Sequence, residues 1–178
     1  MINKPLLIVA IVILGLSAGY ISQRLSQLPV KQYSLPENKV PEYAPAFKLK
    51  DLEDKHRSSK EWQGKVMMVN FWASWCPPCI REIPAFIKLQ ANYASQGLVI
   101  VGIAIDNKQS IVDFTDPMEI NYPVLMAEKE GIKLAGAFGN QLGALPYTAI
   151  VDRSGKIIYT HRGELSLEAA EKIIKPLL

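Results

Sequence analysis

The distribution of apolar and polar residues predicts that the chain has three parts. Residues 1–21 contain a run without any charge, Pro5–Ile21 (PLLIVAIVILGLSAGYI), whose length lies within the range of a bilayer-spanning helix. Residues 22–44 are mainly polar, carry several prolines and show no sustained periodicity, so we expect an extended linker. A folded domain is predicted for residues 45–178, where apolar runs alternate with helical periodicity.

The apolar run has three interpretations. It can remain as a signal anchor, that is, an N-terminal transmembrane helix in the lipid bilayer. It can instead be the apolar core of a cleaved secretory signal, with the small residues Ser17–Gly19 as the cleavage site. A buried core helix fits poorly, because the run is apolar on every face. The basic residues Lys4, Arg24 and Lys31 lie on both sides and do not fix the orientation.

The very short tail before the apolar run is typical of an export signal. We therefore expect a single-pass protein of the cytoplasmic membrane, with its folded domain on the extracytoplasmic or periplasmic side.

Two apolar runs of strand length begin the domain's central pattern. Val66–Trp72 and Leu98–Ile105 are predicted to be buried strands. Between them, Pro77–Ala94 has apolar residues at steps of three and four, which predicts a helix. A strand, a helix and a strand with short joints indicate a parallel pair with a right-handed crossover.

The remaining elements complete an α/β fold. A short strand is predicted at residues 47–49, and a hairpin followed by a helix capped by Ser166 is predicted near the end. The order is βαβ, then an inserted αβα segment, then ββα, which predicts a mixed central sheet flanked by helices. The elements after the second buried strand are a helix at Asn107–Glu119, a strand at Tyr122–Leu125, a helix at Lys129–Ala135, and hairpin strands at Tyr147–Asp152 and Lys156–His161.

Composition and charge narrow the function classes. The chain has 178 residues, of which 49% are hydrophobic and 21% charged, so a globular domain is expected rather than a disordered chain. The formal net charge is only +3, and there is no basic patch that would indicate a nucleic-acid partner.

The candidate chemistry lies in the only two cysteines, Cys76 and Cys79. A disulfide between them would close a ring of about four residues and stabilise the fold by only about 2 kcal/mol, so it is a weak staple. Cys76 is predicted just before a helix, where the helix N-terminus stabilises a thiolate. Pro77 suits the first helical position. We expect an exposed Cys76 to attack first and a more buried Cys79 to resolve the mixed disulfide.

Other uses of the two sulfurs have less support. A zinc site needs two more ligands, and only His56 and His161 are available, at unrelated spacings. Both histidines are interpreted as surface residues. A c-type haem site needs a histidine where Ile80 stands. An inert structural disulfide is the remaining alternative.

These segments carry a family resemblance. Val66–Cys79 (VMMVNFWASWCPPC) resembles the active-site strand and helix start of the thioredoxin superfamily. The pattern WCPPCxxExP, with Glu82 and Pro84, resembles the membrane-tethered TlpA/ResA-like thiol–disulfide oxidoreductases, which include cytochrome c maturation reductases. The segment LPYT followed by AIVDRSGKI resembles that family's cis-proline loop and hairpin. The resemblance runs from about Ala44 to the end and implies a thioredoxin-like fold with an insertion, which fits residues 107–135.

The resemblance also implies roles for individual residues. Pro146 would be the cis-proline that lies against the sulfurs, and Leu145 would pair with the substrate backbone. Trp75 either contacts substrate, shields the thiolate or serves in ordinary packing. Asn70 stands where thioredoxins usually have a buried aspartate. Glu82 is either a group that tunes the thiols or relays a proton, or a solvated carboxylate beside Arg81.

The resulting expectation is a thiol–disulfide oxidoreductase that needs no prosthetic group. It would reduce disulfides in exported proteins, such as one formed by the haem-site thiols of apocytochrome c, and would be reduced again by a DsbD- or CcdA-like membrane carrier. Two alternatives remain: a peroxiredoxin-like thiol peroxidase, because PAFKLKDLEDK resembles the corresponding peroxiredoxin segment, and a non-catalytic copper-handling module.

Overall fold

The computed structural model describes residues 19–20, 23–24 and 40–178. Within these ranges, no helix is both long enough and apolar enough to cross a bilayer. The predicted membrane segment Pro5–Ile21 lies outside the described residues, apart from Gly19 and Tyr20. The chain divides into two units, residues 1–37 and 38–178, and the second contains the candidate chemistry.

The second unit contains seven strands and four α-helices among its described residues, in the predicted order. The strands are β1 (Lys48–Asp51), β2 (His56–Ser58), β3 (Val66–Trp72), β4 (Leu98–Ala104), β5 (Val124–Met126), β6 (Tyr147–Val151) and β7 (Ile157–Arg162). The α-helices are α1 (Pro77–Tyr93), α2 (Lys108–Thr115), α3 (Glu128–Ala137) and α4 (Leu167–Ile174).

Two elements differ from the prediction. The helix predicted for Asn107–Glu119 is α-helical only to Thr115, because Pro117 lies in a 3-10 turn that follows it. Strand β2 was not predicted, since its three residues, HRS, carry no apolar alternation. It is specified instead by antiparallel pairing with β1.

The strands form one mixed sheet in the order β2-β1-β5-β4-β3-β6-β7. Strands β3, β4 and β5 are parallel, and the other pairs are antiparallel. The predicted β3–α1–β4 unit is therefore present. It places β3 near the middle of the sheet, between β4 and β6, with its carboxyl end leading into the cysteine motif.

Both faces of the sheet are covered. Alternate residues of β3 enter two different cores: Met68 and Trp72 pack with α1 and α4, whereas Val69 and Phe71 pack with the residues around Phe138. By this alternation Asn70 lies on the α1 face, the same side of the sheet as the cysteines. A polar residue in the middle of a fully buried strand is unusual and needs a partner on that face.

The folded unit starts before the predicted boundary at residue 45. The Ala44 N–H donates to the Gly155 carbonyl at 2.9 Å, and the Ile157 N–H donates to the Glu42 carbonyl at 2.9 Å. The Glu42 carboxylate also pairs with Lys156. Strand β7 lies at the edge of the sheet, so its outer backbone groups need partners. The end of the predicted linker supplies them.

Gln90 of α1 completes the sheet where β5 is too short. Strand β5 pairs with β4 only at Gly102–Ala104. In the part of β4 that precedes Gly102, the buried Gln90 amide accepts from the Ile100 N–H at 2.7 Å and donates to the Leu98 carbonyl at 3.4 Å. The side chain thus replaces a missing strand and fixes α1 against β4.

We predict that Gln90→Met lowers the free energy of unfolding by about 1–3 kcal/mol, because a buried N–H loses its acceptor. Urea unfolding of the oxidised protein measures the change. Gln96→Met, at an exposed position just after the same helix, is the matched control and should have little effect. Equal midpoints for Gln90→Met and the unaltered protein would contradict this role.

Candidate active site

The two cysteines lie at the junction between β3 and α1. Cys76 is the N-cap residue of α1 and forms a disulfide with Cys79, with Cα atoms 5.3 Å apart. The Ile80 N–H donates to the Cys76 carbonyl, which closes the first helical turn. Because Pro77 and Pro78 have no N–H, Cys79 supplies the remaining backbone donor of that turn. The prolines therefore fix the start of the helix without adding unsatisfied donors.

The expected exposure of Cys76 is wrong for this disulfide form. Cys76 is only 4% exposed, and Cys79 is fully buried. In the disulfide, Cys76 belongs to the core cluster that includes Trp72 and Ala73. The order of exposure is nevertheless the expected one, because the remaining access to the disulfide is at Cys76.

Trp75 is the exposed neighbour of the disulfide. Its side chain is 66% exposed, which contradicts an ordinary packing role and leaves the ring available to a partner. The preceding Ser74 hydroxyl donates to the Asp106 carboxylate, which follows β4. This contact ties the loop before Cys76 to the neighbouring parallel strand, and neither residue was singled out from the sequence.

The Leu145–Pro146 peptide bond is cis, as the resemblance implied. Strand β6 pairs antiparallel with β3, with Tyr147 opposite Phe71, so Pro146 lies at the end of the sheet where β3 leads to Cys76. Leu145 is partly buried and packs against both core clusters. Its predicted pairing with substrate backbone stays a prediction.

Asn140 holds the loop before the cis-proline. Its buried amide donates to the Ala144 carbonyl at 2.8 Å and accepts from the Ala144 N–H at 3.2 Å. The loop is therefore closed on itself one residue before Leu145. Sequence reasoning missed this residue, although asparagine in a glycine-containing stretch (GNQLGALP) is a usual turn signal.

Glu82 is buried below the disulfide-bearing turn, at 1% exposure. Its Oε1 accepts from Asn70 Nδ2 at 2.8 Å, and its Oε2 accepts from the Leu165 N–H at 2.9 Å. The alternative of a solvated carboxylate beside Arg81 is therefore wrong. Arg81 points elsewhere and pairs with the exposed Glu164 at 2.7 Å.

Burial raises the pKa of Glu82 to about 7. The hydrogen bonds from Leu165 and Asn70 oppose this rise, whereas the nearby charge of Glu164 adds to it. The carboxyl group thus exchanges a proton near neutral pH, in the range that suits a general acid or base. It is held three residues after Cys79 on the same helix.

Both histidines were expected at the surface, but His161 is partly buried and stands opposite Thr148 where β7 pairs with β6. His56 is exposed on β2, and His161 contacts the Glu164 carbonyl and the Tyr159 hydroxyl. Across the described ranges, no group of three or more His, Cys, Asp or Glu side chains is arranged to hold a metal ion.

Comparison with known proteins places this site in a family. The family profile described as Redoxin matches residues 39–175. The thiol-disulfide oxidoreductase ResA of Bacillus anthracis is 32% identical over 75% of this chain and 76% of its own length. A ResA protein of Bacillus cereus (strain ATCC 10987) is 29% identical over 98% of both chains.

A solved structure shares both fold and sequence. The thiol:disulfide interchange protein of the thioredoxin family from Chlorobium tepidum TLS has a TM-score of 0.70 and 32% sequence identity, covering 78% of this chain and 97% of that one. The chain therefore belongs to the Redoxin family and is a ResA/TlpA-like member of the thioredoxin superfamily. It has a thioredoxin-like fold and is a thiol–disulfide oxidoreductase, which confirms the predicted fold and enzyme class.

The raised pKa of Glu82 makes folding stability depend on pH. Unfolding returns this carboxyl to its ordinary value of 4.5, so the folded state binds more protons between pH 4.5 and about 7. The free energy of unfolding should therefore fall as pH rises through this window. At about 1.4 kcal/mol per pH unit, the Glu82 contribution is about 3 kcal/mol.

Urea unfolding of the oxidised protein and of Glu82→Gln, from pH 4 to pH 8, measures this contribution. The stability of the unaltered protein relative to the variant should decrease across the window, because glutamine does not titrate. A difference that stays constant with pH would contradict a raised Glu82 pKa.

Proposed function

We propose that this enzyme is a membrane-tethered, extracytoplasmic reductase of disulfides in exported proteins. The observation that carries the proposal is the placement of Glu82. A buried carboxyl that titrates near neutral pH lies on the helix that begins with the Cys76–Cys79 pair. Such a group can take and return the proton of a thiol during repeated exchange, which an inert staple does not require.

The proposed reaction begins with the reduced enzyme. The Cys76 thiolate attacks a disulfide of the partner, forms a mixed disulfide and displaces one partner thiolate. Glu82 then takes the proton of Cys79, whose sulfur attacks Cys76 Sγ and displaces the second partner thiolate. The Cys76–Cys79 disulfide forms, and the partner has gained two electrons and binds two protons. A thiol carrier in the membrane returns the enzyme to its reduced form.

The surroundings of the disulfide support a polypeptide substrate. Trp75 exposes its ring beside Cys76, and Leu145–Pro146 lies at the same end of the sheet. A partner that reaches the nearly buried Cys76 would lie between these two features. Leu145 would offer backbone groups to it, and Trp75 would offer an aromatic surface.

The apolar run Pro5–Ile21 supports the proposed compartment, and similarity to the ResA relatives extends over almost the whole chain. In this compartment the proposed substrates are the disulfide formed by the haem-site thiols of apocytochrome c and the disulfides of other exported proteins. A DsbD- or CcdA-like carrier is the proposed reductant. The thiol:disulfide interchange protein DsbE of Chlorobium tepidum, a structural neighbour, supports this class of partner.

The peroxidase alternative has less support. A peroxidatic cysteine would have to be one of the same two residues, because the chain has no third cysteine. Both form the disulfide at the start of α1. The copper alternative relies on the same two sulfurs. Among the described residues, no cluster of three or more His, Cys, Asp or Glu side chains adds further ligands to them.

Trapping in the membrane of the producing cell tests the proposed reaction. In the full chain with Cys79→Ser, the second attack is impossible, so partners should remain bound to Cys76 as mixed disulfides. We expect adducts that sediment with membranes, contain exported proteins and disappear on reduction with dithiothreitol. Mass spectrometry identifies the partners and shows whether apocytochrome c is among them.

The matched control is the double variant Cys76→Ser, Cys79→Ser, which should trap nothing. Adducts composed of cytoplasmic proteins would contradict the proposed compartment. Equally abundant adducts in Cys76→Ser, which keeps Cys79, or none through Cys76 in Cys79→Ser, would contradict the proposed order of attack.

A further inference from the structure

A buried polar network connects Glu82 to the middle of the sheet. Asn70 on β3 and Thr148 on β6 face each other as a directly opposite pair. Asn70 Nδ2 donates to Glu82 Oε1 at 2.8 Å and to Thr148 Oγ1 at 3.1 Å. Asn70 and Thr148 are, like Glu82, almost completely buried. The three side chains thus join β3, β6 and α1.

The orientation of the Asn70 amide is informative. Both of its N–H groups have acceptors, whereas its Oδ1 is buried and has no partner in the described part of the chain. The opposite orientation would place Oδ1 against the Glu82 carboxylate oxygen and against the Thr148 hydroxyl. An unpaired buried acceptor is costly, so the donors to Glu82 and Thr148 must outweigh that cost.

We propose that Asn70, held by Thr148, is a positioning residue that sets the proton affinity of Glu82. It does so by directing a neutral N–H donor at Oε1, which favours the ionised carboxylate over the protonated form. This inference rests on the proposed function in one respect: Glu82 is the group that takes the proton of Cys79. The hydrogen-bond relation itself concerns the folded protein and needs no substrate.

The other groups around Glu82 leave Asn70 as the adjustable donor. From the segment before α4, Leu165 donates through its backbone N–H, which only a substitution by proline would remove. Glu164 opposes ionisation but is paired with Arg81 at the surface. The Tyr122 hydroxyl is buried, and this burial, together with the Glu82 charge, raises the pKa of Tyr122. On α1 itself, the nearby group is Cys79 in its disulfide. On β7, His161 stands opposite Thr148 and contacts the Glu164 carbonyl.

The type of residue at position 70 also matters. An aspartate there would place a second buried carboxyl beside Glu82, and like charges raise the pKa of one member of such a pair. An asparagine leaves a single titrating carboxyl and supplies a donor to it. Burial alone would push the proton affinity of Glu82 upward, and the Asn70 donor moderates that effect.

The test measures the pKa of Glu82 in the oxidised full chain, without any partner protein. Infrared difference spectra against Glu82→Gln assign the carboxyl stretch of protonated Glu82, and its intensity is followed from pH 5 to pH 10. Asn70→Leu, which keeps a similar volume, should raise the pKa by about one to two pH units. This shift corresponds to the loss of one hydrogen bond to a charged group.

Thr148 provides a second, conservative pair of variants. Thr148→Val keeps the shape but removes the acceptor that holds the amide, so the Glu82 pKa should rise by less than in Asn70→Leu. Thr148→Ser keeps the hydroxyl and should leave the pKa unchanged. If Asn70→Leu does not fold, the difference in the Glu82 pKa between Thr148→Val and Thr148→Ser tests the inference instead.

Gln90→Met is the control for a loss of buried hydrogen bonds that do not involve Glu82. It should leave the Glu82 pKa unchanged although it removes polar contacts of the same helix. An unchanged or lowered pKa in Asn70→Leu, or equal values in Thr148→Val and Thr148→Ser, would overturn the inference. Because no partner is present, failure to trap substrates would not affect this result.

Discussion

The hydrogen-bonded burial of Glu82 is the constraint that holds the active site together. One carboxylate accepts from β3 through Asn70 and from the segment before α4 through Leu165, while its own helix carries the disulfide. Because a buried carboxylate needs these donors, the three elements must stay in fixed relation. The position of the Cys76–Cys79 pair above the sheet follows from that relation.

This arrangement has a cost for the fold. A carboxyl whose pKa is raised to about 7 makes the folded protein less stable at neutral pH than at acidic pH, where the carboxyl is protonated. Such a group is retained where reactivity is needed, and functional sites commonly carry features that reduce stability. The surrounding core offsets the cost, since Ile83, Phe86 and Leu89 on the same helix are fully buried.

Local patterns in the sequence were sufficient to predict the framework. Apolar runs specified β3 and β4, and the spacing of isoleucines specified α1 between them. The site residues followed from short motifs, because Cys76, Cys79 and Glu82 belong to one helix. By contrast, the burial of Glu82 was undecided, since its partners Asn70 and Leu165 come from distant parts of the chain.

Long-range contacts explain the other differences. Thr148 gained a role only once β6 was placed beside β3, and the attachment of residues 40–44 depends on the free edge of β7. Cys76 was expected to be exposed from its place at a helix start. Its burial depends on packing against residues from distant parts of the chain, which no local pattern contains.

Alkylation of the reduced full chain at neutral pH tests the central claim, which is that Cys76 is the activated nucleophile of a reversible dithiol. Peptide mass spectrometry after timed exposure to iodoacetamide gives separate rates for Cys76 and Cys79. Cys76 should react faster than free cysteine, and Cys79 should react more slowly than Cys76. A Cys76 rate no greater than that of free cysteine would contradict this claim.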